Sequence, residues 1–302
     1  MSKNEIKNMA HSVNARLKNI AIQERVTFEY ILLRYAVERF LFRLSVSSHA
    51  DRFILKGASA FSVWMGPIFR VTRDADLYCS GNSAPEFLLP CFREICGQNV
   101  SPDGVTFNME SMQASEIKKE QQYRGTRIVF TAHIDQARVN LQFDIGFGDS
   151  VFPAAEFCEY PVLLESPKPK IKVYPRYTVV AEKFEAMVTL GMKNSRLKDF
   201  FDIWLLSECF NFDFPILKQA VERTFSRRKT ILPNALPIAL TEEFFADAMK
   251  LSQWNAFLRK INPAKRPDTL ADTAHGIARL LQPIIQPSVP GPSEWIAGQG
   301  WK

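Results

Sequence analysis

The spacing of hydrophobic residues changes twice along the chain. In residues 5–48, apolar side chains recur every three or four positions, as in "ERVTFEYILLRYAVERFLFRL", which is typical of amphipathic helices. Residues 52–176 contain short apolar runs broken by Gly, Pro and Asp, which predicts strands with a few helices. Residues 178–283 return to helical spacing. The pattern therefore predicts an α+β fold.

Two neighbouring apolar runs in the β-rich centre predict a hairpin. Residues 126–134 and 137–146 are separated only by a short polar turn within "DQA". In the second run, Val139, Leu141, Phe143 and Ile145 alternate with Asn140, Gln142 and Asp144. We expect the apolar set to face a core and Asp144 to lie on the polar face.

The changes in the spacing of hydrophobic residues also suggest domain boundaries. We expect an N-terminal helical arm in residues 1–50, a β-rich core in 51–176 and a C-terminal helical domain in 177–286. The last residues, 287–302, read "PSVPGPSEWIAGQGWK" and show no periodicity. Because this composition is rich in Pro and Gly, we expect a flexible tail that is disordered or loosely docked.

Composition narrows the class of protein. The chain has 302 residues, of which 46% are hydrophobic and 23% charged, as in ordinary globular proteins. No window approaches the ~18 uninterrupted apolar residues of a membrane span, and the N-terminus is polar. Five cysteines without a CxxC pair favour a reduced, cytoplasmic protein, and the lack of a long apolar window predicts no membrane partner. The net charge of +6 is compatible with nucleic acid or nucleotide binding, and equally with an ordinary basic surface.

Polar residues that could bind a metal ion or a phosphate occur at two places in the β-rich centre. In "RDADLYCS", Asp74 and Asp76 share one strand face, where like charges repel unless a cation lies between them. Magnesium prefers such carboxylates, and Asp144 would complete a three-carboxylate cluster; a solvated strand end is the alternative. In "LKGAS", residues 55–59, the small-residue turn would admit a phosphate at a helix start, or Ser59 would simply cap the helix.

A third candidate lies in the C-terminal helices. Lys183 falls on an apolar stripe, opposite a polar side formed by Thr178, Glu182, Glu185, Thr189 and Lys193. Residues 194–210 are apolar nearly all round and predict a buried helix carrying Asp199 and Asp202 on one side. We expect Lys183 to pair with one of these carboxylates in the unliganded protein. Either an anion-binding lysine, a structural ion pair or a lysine that reaches to solvent fits this pattern.

Three segments carry a family resemblance: "LKGASAF", "FRVTRDADL" and "VYPRYTVVAEKFEAMVTLGMKNSRLKDFFDIWLL". In this order, over about residues 52–210, they resemble the AbiEii/AbiGii nucleotidyltransferase toxin family. The resemblance implies a DNA polymerase β-like nucleotidyltransferase core with a mixed β-sheet, flanked by an N-terminal helical arm and a C-terminal helical domain. Family members are toxins of bacterial toxin–antitoxin and phage-defence systems, and some add nucleotides to the 3′ end of tRNA.

The resemblance also implies roles for the candidate residues. It implies that Gly57 and Ser59 grip a nucleoside triphosphate, that Asp74 and Asp76 bind magnesium, and that Lys183 and Asp199 are essential, with Asp202 close by. Asp144 would bind a second magnesium ion or deprotonate the acceptor. Where the family turn has Gly or Ser, this chain has Ala58, which reaches positive φ less easily.

The expected function is transfer of a nucleotide from an NTP to RNA, at a tRNA 3′ end, by a magnesium-dependent toxin with a cognate antitoxin encoded nearby. The candidate catalytic residues are Asp76, Lys183, Asp199 and Asp144, and the nucleotide-binding residues are Gly57, Ser59, Lys183 and Asp202. Three carboxylates and a lysine also suit a metal-dependent nuclease. A regulatory protein that retains only the fold is a further alternative.

Overall fold

The chain forms two compact units. The computed structural model describes residues 3–66, 74–82, 84–118, 124–261, 263, 265–287 and 291–302. Unit 1 comprises Met1–Gly148 and Glu156–Tyr174, and unit 2 comprises Asp149–Ala155 and Pro175–Lys302. The chain therefore passes from one unit to the other three times.

The described residues of unit 1 form a seven-stranded mixed sheet and four helices. The helices are α1 (Lys3–Gln23), α2 (Phe28–Ser45), α3 (Gly57–Met65) and α4 (Pro85–Cys96). The strands are β1 (Phe53–Lys56), β2 (Ala75–Cys79), β3 (Val105–Lys118), β4 (Arg124–Ile134), β5 (Ala137–Gly146), β6 (Glu156–Glu159) and β7 (Lys170–Val173). Their order is β3-β4-β5-β2-β1-β7-β6, with β2–β5 and β1–β7 parallel. The predicted α+β fold with a mixed sheet is confirmed.

The predicted hairpin is also confirmed. Strands β4 and β5 pair antiparallel, and the pairing begins with Ile134 opposite Ala137. Only two residues close the turn, and Asp135 adopts φ +54°, a left-handed conformation that Asp tolerates better than most residues. This short turn fixes the register of every later pair along the two strands.

One face of this sheet is covered by aromatic side chains from the helices. Thr27 caps α2, because its hydroxyl oxygen accepts the N–H of Tyr30. Most of α2 is buried, and the ring of Phe40 lies 4.3 Å from that of Phe143 on β5 and 5.1 Å from that of Phe92 on α4. The second helix of the predicted N-terminal arm thus lies within the hydrophobic core of unit 1.

Unit 2 is mainly helical. Its helices are α5 (Arg176–Leu190), α6 (Leu197–Cys209), α7 (Phe214–Arg228), α8 (Glu242–Phe245), α9 (Ala248–Ile261) and α10 (Leu270–Ile285). Three short strands, β8 (Phe212–Asp213), β9 (Glu294–Ile296) and β10 (Gly300–Trp301), form a second sheet in the order β10-β9-β8. Helix α6 is buried along nearly its whole length, as its apolar sequence predicts.

The prediction of a flexible tail is wrong for residues 291–302. Trp295 is only 1% exposed, and its indole N–H donates to the carbonyl of Ser207 at 2.7 Å. The indole N–H of Trp301 donates to the carbonyl of Arg279 at 3.1 Å. Two tryptophans bury enough apolar area to dock a segment whose Pro and Gly content suggested disorder. Residues 288–290 of the predicted tail lie outside the described residues.

Two expectations from composition concern cysteines and membranes. All five cysteines are free thiols in the structure. Among the helices of the described residues, none is both long enough and apolar enough to cross a bilayer.

Candidate functional site

Gly57 connects the end of β1 to the start of α3 and could not be another residue without strain. It adopts φ +63°, and a Cβ atom at this position would overlap Oδ2 of Asp76. The first turn of α3 therefore lies directly against a carboxylate of β2. Ala58 follows within α3 and is not among the residues with positive φ, so the family departure at this position costs no backbone strain. Ser59 is buried in the same turn.

A row of charged side chains crosses the sheet next to this turn. Lys56 on β1 pairs with Asp76 on β2, Asp76 pairs with Asp144 on β5, and Asp144 pairs with Arg127 on β4. Residues paired in this way share one face of a sheet. All four are partly exposed, whereas their strand neighbours on the opposite face are buried. The charges along the row are positive, negative, negative and positive, and Asp74 immediately precedes β2.

Asp144 forms a bidentate ion pair with Arg127. The Nε atom of Arg127 donates to Oδ1 of Asp144 and the Nη2 atom to Oδ2, both at 2.8 Å. The hydrogen bonds to Asp144 raise the pKa of Arg127, and the charges of Asp74 and Asp76 add to the effect. Those two carboxylates are therefore within electrostatic range of the same guanidinium.

The expected three-carboxylate metal cluster is not assembled in this arrangement. Within the described part of the chain, no group of three His, Cys, Asp or Glu side chains is placed to hold a metal ion. The physical reason at Asp144 is its pairing with Arg127. Asp74 and Asp76 still fit magnesium, because both supply carboxylate oxygens and because both are partly exposed.

The predicted pairing of Lys183 is confirmed in unit 2. Its Nζ atom lies 2.5 Å from Oδ1 of Asp199 and 3.0 Å from Oδ2 of Asp202. Burial alone would lower the pKa of Lys183, but the two carboxylates outweigh it and hold this pKa above its usual value. Burial likewise opposes ionisation of Asp199, yet Lys183 and then Arg196 bring its pKa below the usual value. Lys183 and Asp199 are therefore both charged at neutral pH.

A buried lysine on α9 stabilises the turn before α6. Lys250 on α9 is 6% exposed, and its ammonium donates to the backbone carbonyl of Asn194 at 2.8 Å. The side-chain oxygen of Asn194 accepts the backbone N–H of Arg196, also at 2.8 Å. Arg196 in turn lies 2.7 Å from the second oxygen of Asp199. Lys250 thus supports the arginine that completes the neutralisation of Asp199.

Arg196 also borders a cavity at the first turn of α6. The cavity has a volume of about 270 Å³ and is lined by Ser195, Arg196, Leu197, Lys198, Gln253 and Phe257. The side chain of Arg196 is half-exposed. Solvent therefore reaches the guanidinium of Arg196, while the carboxylate of Asp199 behind it has no exposed area.

The polar side predicted for α5 faces solvent only in part, because Thr189 and Lys193 are exposed whereas Thr178 and Glu185 are buried. Glu185 is buried and accepts hydrogen bonds from Arg228, Thr189 and Thr230. The hydroxyl of Thr178 both donates to the carbonyl of Phe152 and accepts its N–H. Polar spacing on a helix does not distinguish a wet face from an internal hydrogen-bond network, which is why the sequence pattern alone did not reveal this one.

Sequence reasoning missed Lys56, Arg127, Arg196 and Lys250. The pairing of Arg127 with Asp144 could have been predicted from the hairpin. Arg127 lies seven residues before Ile134, and Asp144 lies seven residues after Ala137, so the two residues are opposite each other. The contact of Lys250 could not be predicted, because its partner is a backbone carbonyl 56 positions away, for which no side-chain pattern exists.

Comparison with known proteins adds a family and two similar structures. The model for the "Nucleotidyl transferase AbiEii toxin, Type IV TA system" family matches residues 39–279. The crystal structure of JHP933 from Helicobacter pylori is similar at 14% identity with a TM-score of 0.49, covering 86% of this chain and 93% of that one. A second crystal structure, of a candidate nucleotidyltransferase from H. pylori, has 14% identity and a TM-score of 0.48, covering 86% and 96%.

No curated protein matches the chain. The family match, however, extends over well more than half of the 302 residues and includes the glycine turn, the sheet carboxylates and the Lys183 ion pair. The chain belongs to the AbiEii nucleotidyltransferase toxins of type IV toxin–antitoxin systems.

Proposed function

We propose that this toxin transfers a nucleotide from a nucleoside triphosphate to RNA, with the 3′ end of tRNA as the acceptor. The observation that supports a triphosphate substrate is the close approach of Asp76 to the Gly57 turn, and the tRNA acceptor rests on the family resemblance. A helix start without a side-chain cap offers backbone N–H groups to phosphate. A metal-binding carboxylate beside it is what a triphosphate-using enzyme needs.

The residues of unit 1 would bind the triphosphate. Gly57 lets phosphate approach the backbone closely, and the first turn of α3, which contains Ser59, supplies donors. Asp74 and Asp76 would hold magnesium, two ions being compatible with the carboxylates present. When bound, magnesium neutralises charge on the phosphate oxygens.

The bond changes follow from the chemistry of phosphoryl transfer. The terminal hydroxyl oxygen of the RNA forms a bond to the α-phosphorus, and the bond between that phosphorus and the β-phosphate oxygen breaks. Pyrophosphate leaves with the electron pair, and the hydroxyl proton passes to a carboxylate. Asp144 suits this last task only after its pairing with Arg127 opens, because both of its oxygens are engaged.

The residues of unit 2 are needed for a different reason. Lys183 is a donor that is charged at neutral pH, and an anionic phosphate would compete with its carboxylate partners. Asp199 and Asp202 hold the lysine in place by the ion pairs described above. This division of labour predicts that loss of Asp76 abolishes magnesium use, while loss of Lys183 weakens triphosphate handling and leaves magnesium binding intact.

The family implies a cognate antitoxin and a nucleotide substrate. We infer further that the antitoxin gene lies next to this one, that the toxin acts in the cytoplasm and that the pair defends against phage. Expression of the toxin alone should stop growth, and co-expression of the neighbouring gene should restore it. Growth that is unaffected by the toxin would contradict this part of the proposal.

The transfer proposal is tested with each of the four α-labelled NTPs, magnesium and total tRNA. We expect label on tRNA with at least one NTP, an increase in tRNA length by whole nucleotides, and no reaction without magnesium. A nuclease would instead shorten tRNA without any NTP. A protein that only retains the fold would change nothing.

A further inference from the structure

The Arg127–Asp144 ion pair differs from another bidentate arginine–carboxylate pair of unit 1. Arg43 also contacts both oxygens of a carboxylate, that of Asp103, but both side chains are only 8% exposed. The side chain of Arg127 is 40% exposed and that of Asp144 is 18% exposed. An incoming anion can therefore reach the guanidinium of Arg127, whereas that of Arg43 is enclosed.

The position of Arg127 also makes it a competitor of a metal ion for the carboxylate of Asp144. Its guanidinium engages both oxygens of Asp144, the residue that follows Asp76 in the charged row. A magnesium ion on Asp74 and Asp76 would bring a second cation next to this one, and like charges at short range repel. The arginine thus occupies, in the nucleotide-free protein, the place of a cation on the third carboxylate.

A triphosphate would reverse this preference. The planar fork of a guanidinium matches two phosphate oxygens as well as it matches a carboxylate, and it stays charged at any physiological pH. A triphosphate arriving with its metal brings several negative charges to the row. Arg127 would then gain a new partner as Asp144 loses its old one.

We propose that Arg127 is a nucleotide phosphate ligand that, before nucleotide binds, neutralises Asp144 and keeps it from binding metal. This inference rests on the proposed function, because it assumes that a triphosphate binds beside Asp76. It makes metal binding by Asp144 dependent on nucleotide, so that the protein without nucleotide holds metal weakly.

The first test is a titration of the nucleotide-free protein with Mn²⁺, monitored by calorimetry or electron paramagnetic resonance. Arg127→Gln should bind Mn²⁺ about tenfold more tightly than the wild type, because a nearby positive charge is gone and Asp144 is released. Arg138→Gln is the matched control, since it removes an exposed arginine from the same hairpin, opposite His133 and far from the carboxylates. It should not change Mn²⁺ affinity.

A double variant identifies the carboxylate responsible. In Arg127→Gln combined with Asp144→Asn, the gain in Mn²⁺ affinity should disappear, because the released ligand is absent. Tighter Mn²⁺ binding by Arg127→Gln that persists in the double variant would overturn the assignment to Asp144.

The second test is binding of a non-hydrolysable triphosphate with Mg²⁺ present. Arg127→Gln should weaken it about tenfold or more, and Arg127→Lys should restore part of the loss, since lysine keeps the charge but not the fork. Unchanged Mn²⁺ affinity together with unchanged triphosphate affinity would mean that Arg127 is a structural residue, and would overturn the proposal.

These measurements need no RNA and separate the two proposals. A wild-type protein that binds the triphosphate but does not modify RNA would contradict the transfer function and leave the Arg127 test intact. A wild-type protein that modifies RNA while Arg127→Gln binds metal and triphosphate normally would contradict only the inference about Arg127.

Discussion

The sheet and the helices each contain a carboxylate paired with a basic residue, but the two pairs are built differently. Lys183 and Asp199 have 14% and 0% of their side chains exposed, and Arg196 and Asp202 complete the charge balance. Arg127 and Asp144 have 40% and 18% exposed. The helical pair is surrounded by protein, and the sheet pair is open on one side.

Burial determines what each pair can do. Removing one partner of a buried ion pair leaves a charge that protein cannot solvate, so the pair behaves as a fixed part of the fold. An exposed pair exchanges its partner for water or another ion at small cost. We infer that the helical pair positions Lys183 permanently and that the sheet pair changes partners during the reaction.

The largest predicted effect comes from breaking the helical pair. Lys183→Met keeps the length of the side chain but leaves Asp199 and Asp202 with only Arg196, and should cost about 3–5 kcal/mol of unfolding free energy. Nucleotide transfer should be abolished as well. Urea denaturation and the labelled-NTP assay measure the two losses separately. Near-normal transfer by a folded Lys183→Met protein would show that the lysine is structural only.

The next effect comes from the glycine turn. Gly57→Ala places a Cβ atom on Oδ2 of Asp76 at φ +63°, and the conformation alone should cost at least about 1–2 kcal/mol. Triphosphate binding should be lost with it.

Ala58→Gly is the matched control for Gly57→Ala. This change should cost only the difference in helix propensity, about 1 kcal/mol, and leave triphosphate binding in place. Thermal melts and calorimetric binding compare the two variants. Equal effects on triphosphate affinity would contradict the special role of Gly57.

A smaller loss of stability is expected when the hydrogen bond between Lys250 and Asn194 is removed. Lys250→Met removes the hydrogen bond to the carbonyl of Asn194 and should cost about 1–3 kcal/mol. If Arg196 then moves, the turnover rate should fall while the KM for triphosphate changes little. A loss of stability with an unchanged turnover rate would mean that Lys250 supports the fold but not the position of Arg196.

The sheet pair should contribute least to stability. Arg127→Gln should change the unfolding free energy by about 0–1 kcal/mol, because exposed ion pairs are screened by water. The same denaturation experiment used for Lys183→Met measures it. A loss as large as that of Lys183→Met would erase the distinction between the two pairs.

The pH dependence of the unfolding free energy should differ between the helical pair and the rest of the molecule. The pKa of Asp199 is lowered, so its contribution to stability is lost only as the pH falls through this lowered value. The pKa of Lys183 is raised, so its contribution is lost only as the pH rises through that value. In the wild type, the contribution of the Lys183–Asp199 pair to stability should therefore be constant from about pH 5 to 9. In Lys183→Met, burial without the lysine should raise the pKa of Asp199, so the stability difference between the two proteins should shrink as the pH falls. A difference that grows as the pH falls would contradict the pKa directions.

The total stability of the wild-type protein should depend on pH near neutrality, because Glu38 is buried. Burial raises the pKa of Glu38 to about 7, despite the neighbouring Arg39. A raised carboxylate pKa means that stability falls as the pH rises from about 4.5 to 7. Glu38→Gln should flatten this slope, which denaturation at several pH values would detect. An unchanged slope would assign the pH dependence to other groups.

How much was predictable depends on the range of the interaction. The hairpin, the buried α6 helix and the pairing of Lys183 follow from periodicity and from the cost of burying a charge. The engagement of Asp144 by Arg127 required the hairpin register, which the sequence contained in principle. The docking of Trp295 and the support from Lys250 depend on backbone partners far along the chain, and no local pattern encodes those.

The most direct test of the central claim compares wild type with Asp76→Asn in the magnesium-dependent transfer of labelled nucleotide to tRNA. The substitution keeps the shape of the side chain in a row that also contains Lys56, Asp144 and Arg127, and a thermal melt of both proteins first establishes that Asp76→Asn is folded. We predict that the wild type labels tRNA and that folded Asp76→Asn transfers nothing detectable at any magnesium concentration. Transfer by Asp76→Asn at a rate close to that of the wild type would contradict the assignment of the sheet carboxylates as the metal site.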